Sequence, residues 1–503
     1  MSRFLAIDAG TTSMKAAIFD PEGSLLAVDR EEYRLETPAP AVVELDAELY
    51  WAACCRAVRN VIEASGTPAG EVLSLCISSQ GETLIPVNAA GEPLRKAIVW
   101  LDNRAVEEAK LIRKAFGEQA MFRVSGQPEV VPTWPACKIL WIRHNEPEVF
   151  RQADKFLLLE DYLLHRLTGQ FVTERALQVS SMLLDIVAKD WHRPMLDFIG
   201  ITPDRLGRLM EPGEVVGPTM GAGAAEAGLL AGTVATTGAM DQVIAALGSG
   251  NVAPGVVTDN TGGALAVIAT LEGPLFDPLR RVPCHYHAMP DTYCLMPWSQ
   301  TAGMALKWFR DAFYAGELGE ARRSGVDPYD LMTREADQAP AGSDGLVVLP
   351  HLEGAACPEF NPAARGVFFG ATLRHGRAHF VRALMEAVAY MLKRNIDLLR
   401  ELEVPVREVR STGGGARSEL WLQIKADVLQ LPVATVACEE TACLGAAILG
   451  AVATGYYGNL EEAMAHMARL RGWIEPNPAV AEVYQGRYEQ YVELYERLEP
   501  MFK

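Results

Sequence analysis

An aspartate, a glycine and two threonines stand together in FLAIDAGTTSMKAAIFD, residues 4–20, and that combination suits the holding of phosphate. Gly10 lets the backbone approach an anion closely, successive N–H groups of the turn can point at phosphate oxygens, and the Thr11 and Thr12 hydroxyls add donors. A carboxylate just before such a turn would be repelled by phosphate unless a divalent cation lay between them. Asp8 therefore predicts Mg²⁺, held through waters. Taken alone, the stretch also reads as an ordinary Asx-type turn. VVTDNTGGALAVIATLEG, residues 256–273, has a similar order, and Asn260, Gly262 and Thr261 are rough counterparts of Asp8, Gly10 and Thr11. A third stretch, VRSTGGGARSELWLQIKADVL, residues 409–429, sets three glycines and a serine before an amphipathic helix carrying Leu420, Ile424 and Leu429. Such a turn lets a planar ligand lie on bare backbone at a helix N-terminus. The G-x-G-x-x-G spacing of a dinucleotide site is missing, which favours an adenosine shelf.

The elements that must position these residues begin with FLAID, MKAAIFD and SLLAVDREEY, three strands joined by GTTS and by the Pro-x-Gly turn PEG, hence an antiparallel meander. A helix follows over residues 46–62, with Asp46 as N-cap and Leu49, Ala53 and Ala57 at helical spacing. VLSLCISSQ, residues 72–80, reads as a buried strand. This alternation predicts an α/β fold, a mixed sheet covered by helices. A chain of 503 residues exceeds one core and predicts two or more domains of about 100 to 250 residues. The repeated strand-turn-strand suggests two related domains facing one cleft, although small residues in a turn also fit mere packing. The boundary is placed near Leu247, giving 1–247 and 248–503.

Apolar residues at 49% with 22% charged residues make the chain globular rather than disordered. A formal charge of -18 disfavours nucleic acid or an anionic membrane as the main partner, yet leaves room for a local cationic pocket. The nine cysteines are scattered, without a C-x-x-C pair, as in a reduced cytoplasmic protein. Arg3, Asp8 and Lys15 interrupt the N-terminus too early for a signal peptide, and no uncharged apolar run reaches ~18 residues. A soluble cytoplasmic protein is expected.

DAGTTSMK, GAMDQ, NTGGA, ARGVFFGATLRHGRAHFVRALMEA and GGGARS, in this order, resemble the FGGY family of carbohydrate kinases, whose motifs run through nearly the whole chain. The resemblance implies two ribonuclease H-like domains of the actin and hexokinase type with a central cleft. It also implies ATP and Mg²⁺ as cofactors and transfer of the γ-phosphoryl group to a hydroxyl of a small sugar or polyol. Residues 1–247 would bind sugar and the first phosphate segment, residues 248–503 ATP. Carried over by position, Asp241 in GAMDQ is the general base, with no large pKa shift required, and with Asp8 it holds Mg²⁺ through water. Gly10, Thr11, Thr12 and Lys15 match the first phosphate segment, although Lys15 also reads as a solvated strand lysine. Thr261 and Gly262 match the second, and Gly414, Gly415, Ala416 and Ser418 the adenosine segment. Asp427 reads as a surface charge.

On the sugar side, SSQGETLIPV (78–87) ends a strand where the family places substrate contacts, so Gln80 and Glu82 are expected to bond hydroxyls. VWLDNRA supplies Asp102 and Arg104 in a pattern resembling xylulose and glycerol kinases, or a purely structural ion pair. Gly81-Glu82 in place of a Met-His pair, and Gln242 after the base, lean toward glycerol kinases. GGGARSELW leans toward xylulose kinases. The expected reaction is D-xylulose to xylulose 5-phosphate, with another ketopentose or a polyol such as glycerol as the alternative. A non-catalytic sugar-binding regulator and an actin-like ATPase are the readings from other classes; retention of both Asp8 and Asp241 disfavours the regulator. HYH (285–287) reads as loop surface rather than zinc site. Met, Trp and Phe of TAGMALKWFRDAF read as core, with packing the preferred role of Trp308. EEAMAHMARL reads as an amphipathic helix, either a homodimer face or the outside of a domain.

Overall fold

Apolar runs without alternation form the middle of the first sheet, because these strands are covered on both faces. β1 (Arg3–Ala9), β2 (Ser13–Phe19) and β3 (Leu25–Glu32) make the expected antiparallel meander. β4 (Val72–Ser79) lies parallel to β1, β5 (Val215–Pro218) is an edge strand, and β6 (Val234–Met240) is parallel to β4. The order is β5-β6-β4-β1-β2-β3. The computed structural model describes residues 2–314, 316, 323 and 325–503. They divide into two units, the first comprising Met1–Val252, Leu271–Cys294 and Glu440–Arg469, the second Ala253–Thr270, Leu295–Glu439 and Leu470–Lys503.

In the first unit the helix Ala47–Ser65 starts at Asp46, whose carboxylate accepts from the Glu48 N–H, and packs on β2 and β3. Its buried face carries Tyr50, Ala53, Cys54, Ala57, Val58 and Val61. Leu49, expected on that face, lies off the stripe and is 47% exposed. The helix Thr441–Ala453, rich in Ala and Gly, packs closely on β4 and β1. The two histidines of HYH are not loop surface: His285 and His287 are buried at the strand Cys284–Tyr286. Burial lowers their pKa values to about 3 and about 4 and holds them neutral.

The second unit repeats the plan. β7 (Gly255–Thr261) and β8 (Leu265–Leu271) form an antiparallel hairpin, and β9 (Val406–Thr412) runs parallel to β7 as β4 does to β1. β10 (Val433–Val436) and β11 (Leu470–Ile474) extend the order to β8-β7-β9-β10-β11. The helices Arg377–Glu401, Glu419–Leu429 and Ala481–Leu498 pack on one another. Asp427 is buried rather than a surface charge. It accepts from Gln423 Nε2 and from the Asn477 N–H, both at 2.7 Å, and so ties the helix to the chain after β11. In the helix Gly303–Phe313, Ala305, Leu306 and Phe309 are core, whereas Met304, Trp308 and Phe313 remain exposed, against expectation. Among the described residues, no helix is long and apolar enough to cross a membrane.

Candidate active site

Asp8 stands near the end of β1, opposite Lys15 on β2 and Ser78 on β4. Its carboxylate accepts from Ser78 Oγ at 3.0 Å and pairs with Lys15 Nζ at 3.1 Å. Lys15 pairs also with Glu440 at 2.7 Å, and its side chain is only 19% exposed. It is no solvated strand lysine: burial works against its charge, but Asp8 and Glu440 hold its pKa above the ordinary lysine value. The Gly10 N–H donates to Ser13 O at 3.1 Å and closes the hairpin. The Tyr33 hydroxyl donates to Gly10 O, and Trp100 Nε1 donates to Thr11 Oγ1 at 2.8 Å. Thr12 is exposed.

Beyond β4 the chain turns beside this hairpin, the Gln80 N–H donating to Ala9 O at 3.0 Å. Gln80 is 3% exposed, and its amide makes no close hydrogen bond but faces the Tyr50 hydroxyl, which is buried with it. Glu82 follows with φ +60°, a left-handed conformation costly for a residue with a Cβ. Lys138, fully buried and not singled out in the sequence, fixes that turn by donating to the carbonyls of Glu82 and Val99, both at 2.9 Å. Burial lowers the Lys138 pKa to about 7 against the pull of Glu82 and Asp102. Burial likewise raises the Glu82 carboxyl, opposed by Ser180 and Lys138.

Asp241 opens the helix Asp241–Gly248 directly after β6, its Oδ1 accepting from the Gln242 N–H at 2.7 Å. Burial, then Asp8 and Glu82, raise its pKa to about 7, while the Gln242 N–H and Lys15 oppose the shift. No large shift is expected from the sequence, which does not reveal that two other carboxylates face the same recess. β6 reaches Asp241 through a register shift between Thr236 and Ala239. At this bulge a Cβ on Gly238 would meet Ile77 O at 1.7 Å, so only glycine fits. The freed Gly238 N–H donates to the buried Glu160 carboxyl at 2.8 Å. Glu160 thus helps fix the turn that leads into Asp241, hidden in the sequence because charged residues on a helix read as surface.

Asp102 and Arg104 lie near enough to Lys138 to act on its charge, but their own polar groups are committed to one another and to neighbours. Asp102 is fully buried, and its oxygens accept from the Val43 N–H at 2.6 Å and from Arg104 Nε at 2.9 Å. Arg104 also pairs with Glu44 at 2.7 Å and lies 4.9 Å over the Trp141 ring. They form a braced ion-pair web in which every group has a partner.

In the second unit, the Gly262–Gly263 turn meets the N-terminus of the helix Gly303–Phe313: the N–H groups of Gly303 and Met304 donate to Gly262 O and Gly263 O at 3.0 and 3.1 Å. The glycine turn packs on the same hairpin. A Cβ on Gly413, which has φ +75°, would meet Asn260 Oδ1 at 2.5 Å, and one on Gly415 would meet Thr261 Cγ2 at 2.7 Å. Gly414 has open space, Ala416 N–H donates back to Gly413 O at 3.1 Å, and Ser418 Oγ caps the following helix by accepting from the Trp421 N–H at 3.2 Å. Thr261 and the glycine turn are therefore brought together. Behind them lies Lys425, fully buried, donating to Asp259 at 2.8 and 2.9 Å, to Thr261 Oγ1 at 2.8 Å and to Ser411 Oγ at 2.8 Å. Burial lowers its pKa against the pull of Asp259. Removing one member of such a buried pair costs about 3–5 kcal/mol; its place in an apolar helical stretch gives no sign of this role.

Comparison with known proteins follows the same two halves. Residues 3–248 match the model for the FGGY family of carbohydrate kinases, N-terminal domain, and residues 261–454 that for its C-terminal domain. The chain is 31% identical to a gluconokinase of Bacillus subtilis over 90% of its own length and 88% of that protein. It is 30% identical to a xylulose kinase of Escherichia coli over 99% of both. The crystal structure of a ligand-bound xylulose kinase from Lactobacillus acidophilus superposes with a TM-score of 0.89 at 26% identity, covering 100% of this chain and 99% of that one. With family matches spanning both halves and a mixed α/β fold shared end to end with sugar kinases, the chain belongs to the FGGY family of carbohydrate kinases and is an ATP-dependent sugar kinase.

Proposed function

We propose that the sugar is a neutral ketopentose, D-xylulose first, converted to xylulose 5-phosphate, with another ketopentose or a polyol such as glycerol as the alternative. The observation that carries this reading is Gln80, a buried amide that makes no close hydrogen bond and has the buried Tyr50 hydroxyl as its polar neighbour. Such a group is costly unless a ligand completes it, and an amide offers both donors and acceptors to adjacent hydroxyls. Glu82 lies near enough to Asp241 to raise its proton affinity, and the two acids further support a neutral, hydroxyl-rich ligand. A gluconate carboxylate would meet these two acids and Asp8, while the nearby cations Lys15 and Lys138 are engaged with Asp8, Glu440 and backbone carbonyls.

In this reading Asp241 accepts the proton of the attacking hydroxyl, and its raised pKa suits a base working near neutrality. Glu82 and Gln80 hold neighbouring hydroxyls so that the nucleophile is aligned, which matters more than proton removal when the transition state is loose. Gly10, Thr11, Thr12 and Lys15 take one part of the triphosphate, Thr261 and Gly262 another, and Gly414, Gly415, Ala416 and Ser418 the adenosine. Asp102 and Arg104 act on the sugar only by bracing the pocket wall. Two mutually repelling carboxylates, Asp8 and Asp241, fit a Mg²⁺ that arrives on the nucleotide with most of its waters; when bound, it neutralises charge on the phosphates.

The test is ADP release with xylulose, ribulose, glycerol, erythritol and gluconate. Xylulose should give the highest kcat/KM. A clear lead for glycerol would replace the first choice by the alternative, and a lead for gluconate would overturn the neutral-sugar reading.

A further inference from the structure

The chain re-enters the first unit at Glu440, which holds the N-cap position of the helix Thr441–Ala453. Glutamate is not among the residues favoured there, and its side chain makes no capping bond. The carboxylate instead accepts from Lys15 Nζ at 2.7 Å, closer than the 3.1 Å between the same ammonium and Asp8. Both side chains are largely shielded from solvent. One cation is thus shared between two carboxylates, and of these only Asp8 lies at the strand end read as the phosphate and metal site. The preceding residue behaves differently: Glu439 pairs with Arg417 of the glycine turn at 2.6 Å, but both side chains are exposed, and a surface pair of this kind adds little.

A phosphate oxygen at Lys15 would make the contact that Glu440 makes now, a charge-assisted hydrogen bond from the ammonium. An ammonium has three N–H donors but a single positive charge. A phosphate drawn to it therefore stands beside the Glu440 carboxylate and is repelled, or the carboxylate must let the lysine go. Letting go is not prohibitive, because a carboxylate at the positive end of a helix dipole keeps part of its stabilisation and Glu440 is partly open to water. Glu440 and the nucleotide thus compete for one cation.

We infer that Glu440 is a positioning residue that acts through Lys15 to limit how tightly nucleotide phosphates are held, and so promotes the departure of ADP. This rests on the reading of Lys15 as a phosphate ligand. In the empty protein Glu440 keeps the ammonium in place beside Asp8. After transfer, when the nucleotide has lost one phosphoryl group and the charge that went with it, the carboxylate reclaims the lysine and ADP is loosened, a step that sets turnover in many enzymes.

The test measures ADP binding without sugar, by titration calorimetry with and without Mg²⁺, and ADP dissociation by stopped-flow displacement of a fluorescent ADP analogue. Glu440→Gln keeps an acceptor for the Lys15 ammonium and removes the charge. It should lower the Kd for ADP about three- to tenfold, between the effects of an exposed and a sealed charged contact, slow ADP dissociation by a similar factor, lower KM for ATP and leave KM for sugar alone. Glu439→Gln removes a charge one residue away and should change the ADP Kd by less than about twofold. Lys15→Gln should weaken ADP binding, and adding Glu440→Gln to it should then tighten nothing. A brace that only supports the fold would make Glu440→Gln lose Tm and bind ADP no better, and that result overturns the inference. Equal tightening by Glu439→Gln also overturns it, since net charge alone would then be responsible. If Lys15→Gln leaves ADP affinity unchanged, the phosphate reading of Lys15 fails and this inference with it; if Lys15→Gln weakens binding but Glu440→Gln does not tighten it, the role of Glu440 fails alone.

Discussion

Burial, with the charges of Asp8 and Glu82 close by, brings the Asp241 pKa to about 7. A base must be unprotonated to act, so sugar phosphorylation should fall as pH drops through and below about 7; a rate flat between pH 5.5 and 8.5 would count against Asp241 as the titrating base. Asp241→Asn should lower turnover by on the order of 10² or more and leave ATP affinity within a few-fold, measured by titration calorimetry beside the kinetics. Glu82 acts differently. Its left-handed backbone, held by Lys138, presents a carboxylate that can accept from two adjacent hydroxyls, each charge-assisted bond being worth about 1.5–3 kcal/mol when water is excluded. Glu82→Ala should therefore raise KM for sugar at least tenfold and leave KM for ATP alone. An unchanged sugar KM across the panel would take Glu82 out of the pocket.

At the scale of elements, the turn into Asp241 depends on the helix Leu159–Thr168 beside the β6 bulge. This helix carries Glu160 and Asp161, and Glu174 lies close by; burial raises all three carboxyls, Asp161 to about 7 and the other two well above the usual range. A carboxyl whose folded pKa is raised binds its proton more tightly than the unfolded chain does. Its contribution is complete below the unfolded value of about 4 and is lost as pH rises toward and through the folded value. Glu160→Gln keeps an acceptor for the Gly238 N–H and cannot ionise. Its Tm should match wild type near pH 5 and exceed it increasingly toward pH 8; a constant difference would mean that Glu160 is already charged when folded. The meander, the capped helix after Asp46 and the buried strand at 72–79 are legible in the sequence, since apolar runs and turn residues are local signals. Glu160, Lys138 and Lys425 are not, because a charged residue reads as solvated until its partner is known, and Gly238, Val99 and Asp259 lie far away along the chain. Met304 and Trp308 err the other way: helical spacing is legible, but not which apolar residues a neighbour will cover.

At the scale of the whole molecule, the same hairpin-plus-parallel-strand plan appears twice but is filled differently. Asp8 is buried but keeps 8% exposure beside Lys15, whereas Asp259, at the matching strand end, is fully sealed with Lys425. The first plan leaves a carboxylate available to chemistry, and the second converts one into structural support beneath Thr261. Around both lies a chain with 64 acidic and 46 basic residues, a net charge of -18. Such a field raises the free energy of an anionic sugar acid approaching Asp8, Glu82 and Asp241, while a neutral ketose feels none of it. The field is screened with a Debye length of about 30 Å at 0.01 M salt and about 8 Å at 0.15 M. Raising ionic strength from about 0.01 to 0.15 M at fixed Mg²⁺ and saturating ATP should therefore improve kcat/KM for gluconate relative to xylulose by several-fold, with xylulose ahead at both. The measurement is the ratio of the two constants in one buffer series, which cancels any effect of salt on ATP or on folding. If gluconate leads at low salt and loses ground as salt is added, the pocket attracts anions, and the assignment passes from a ketopentose to a sugar acid.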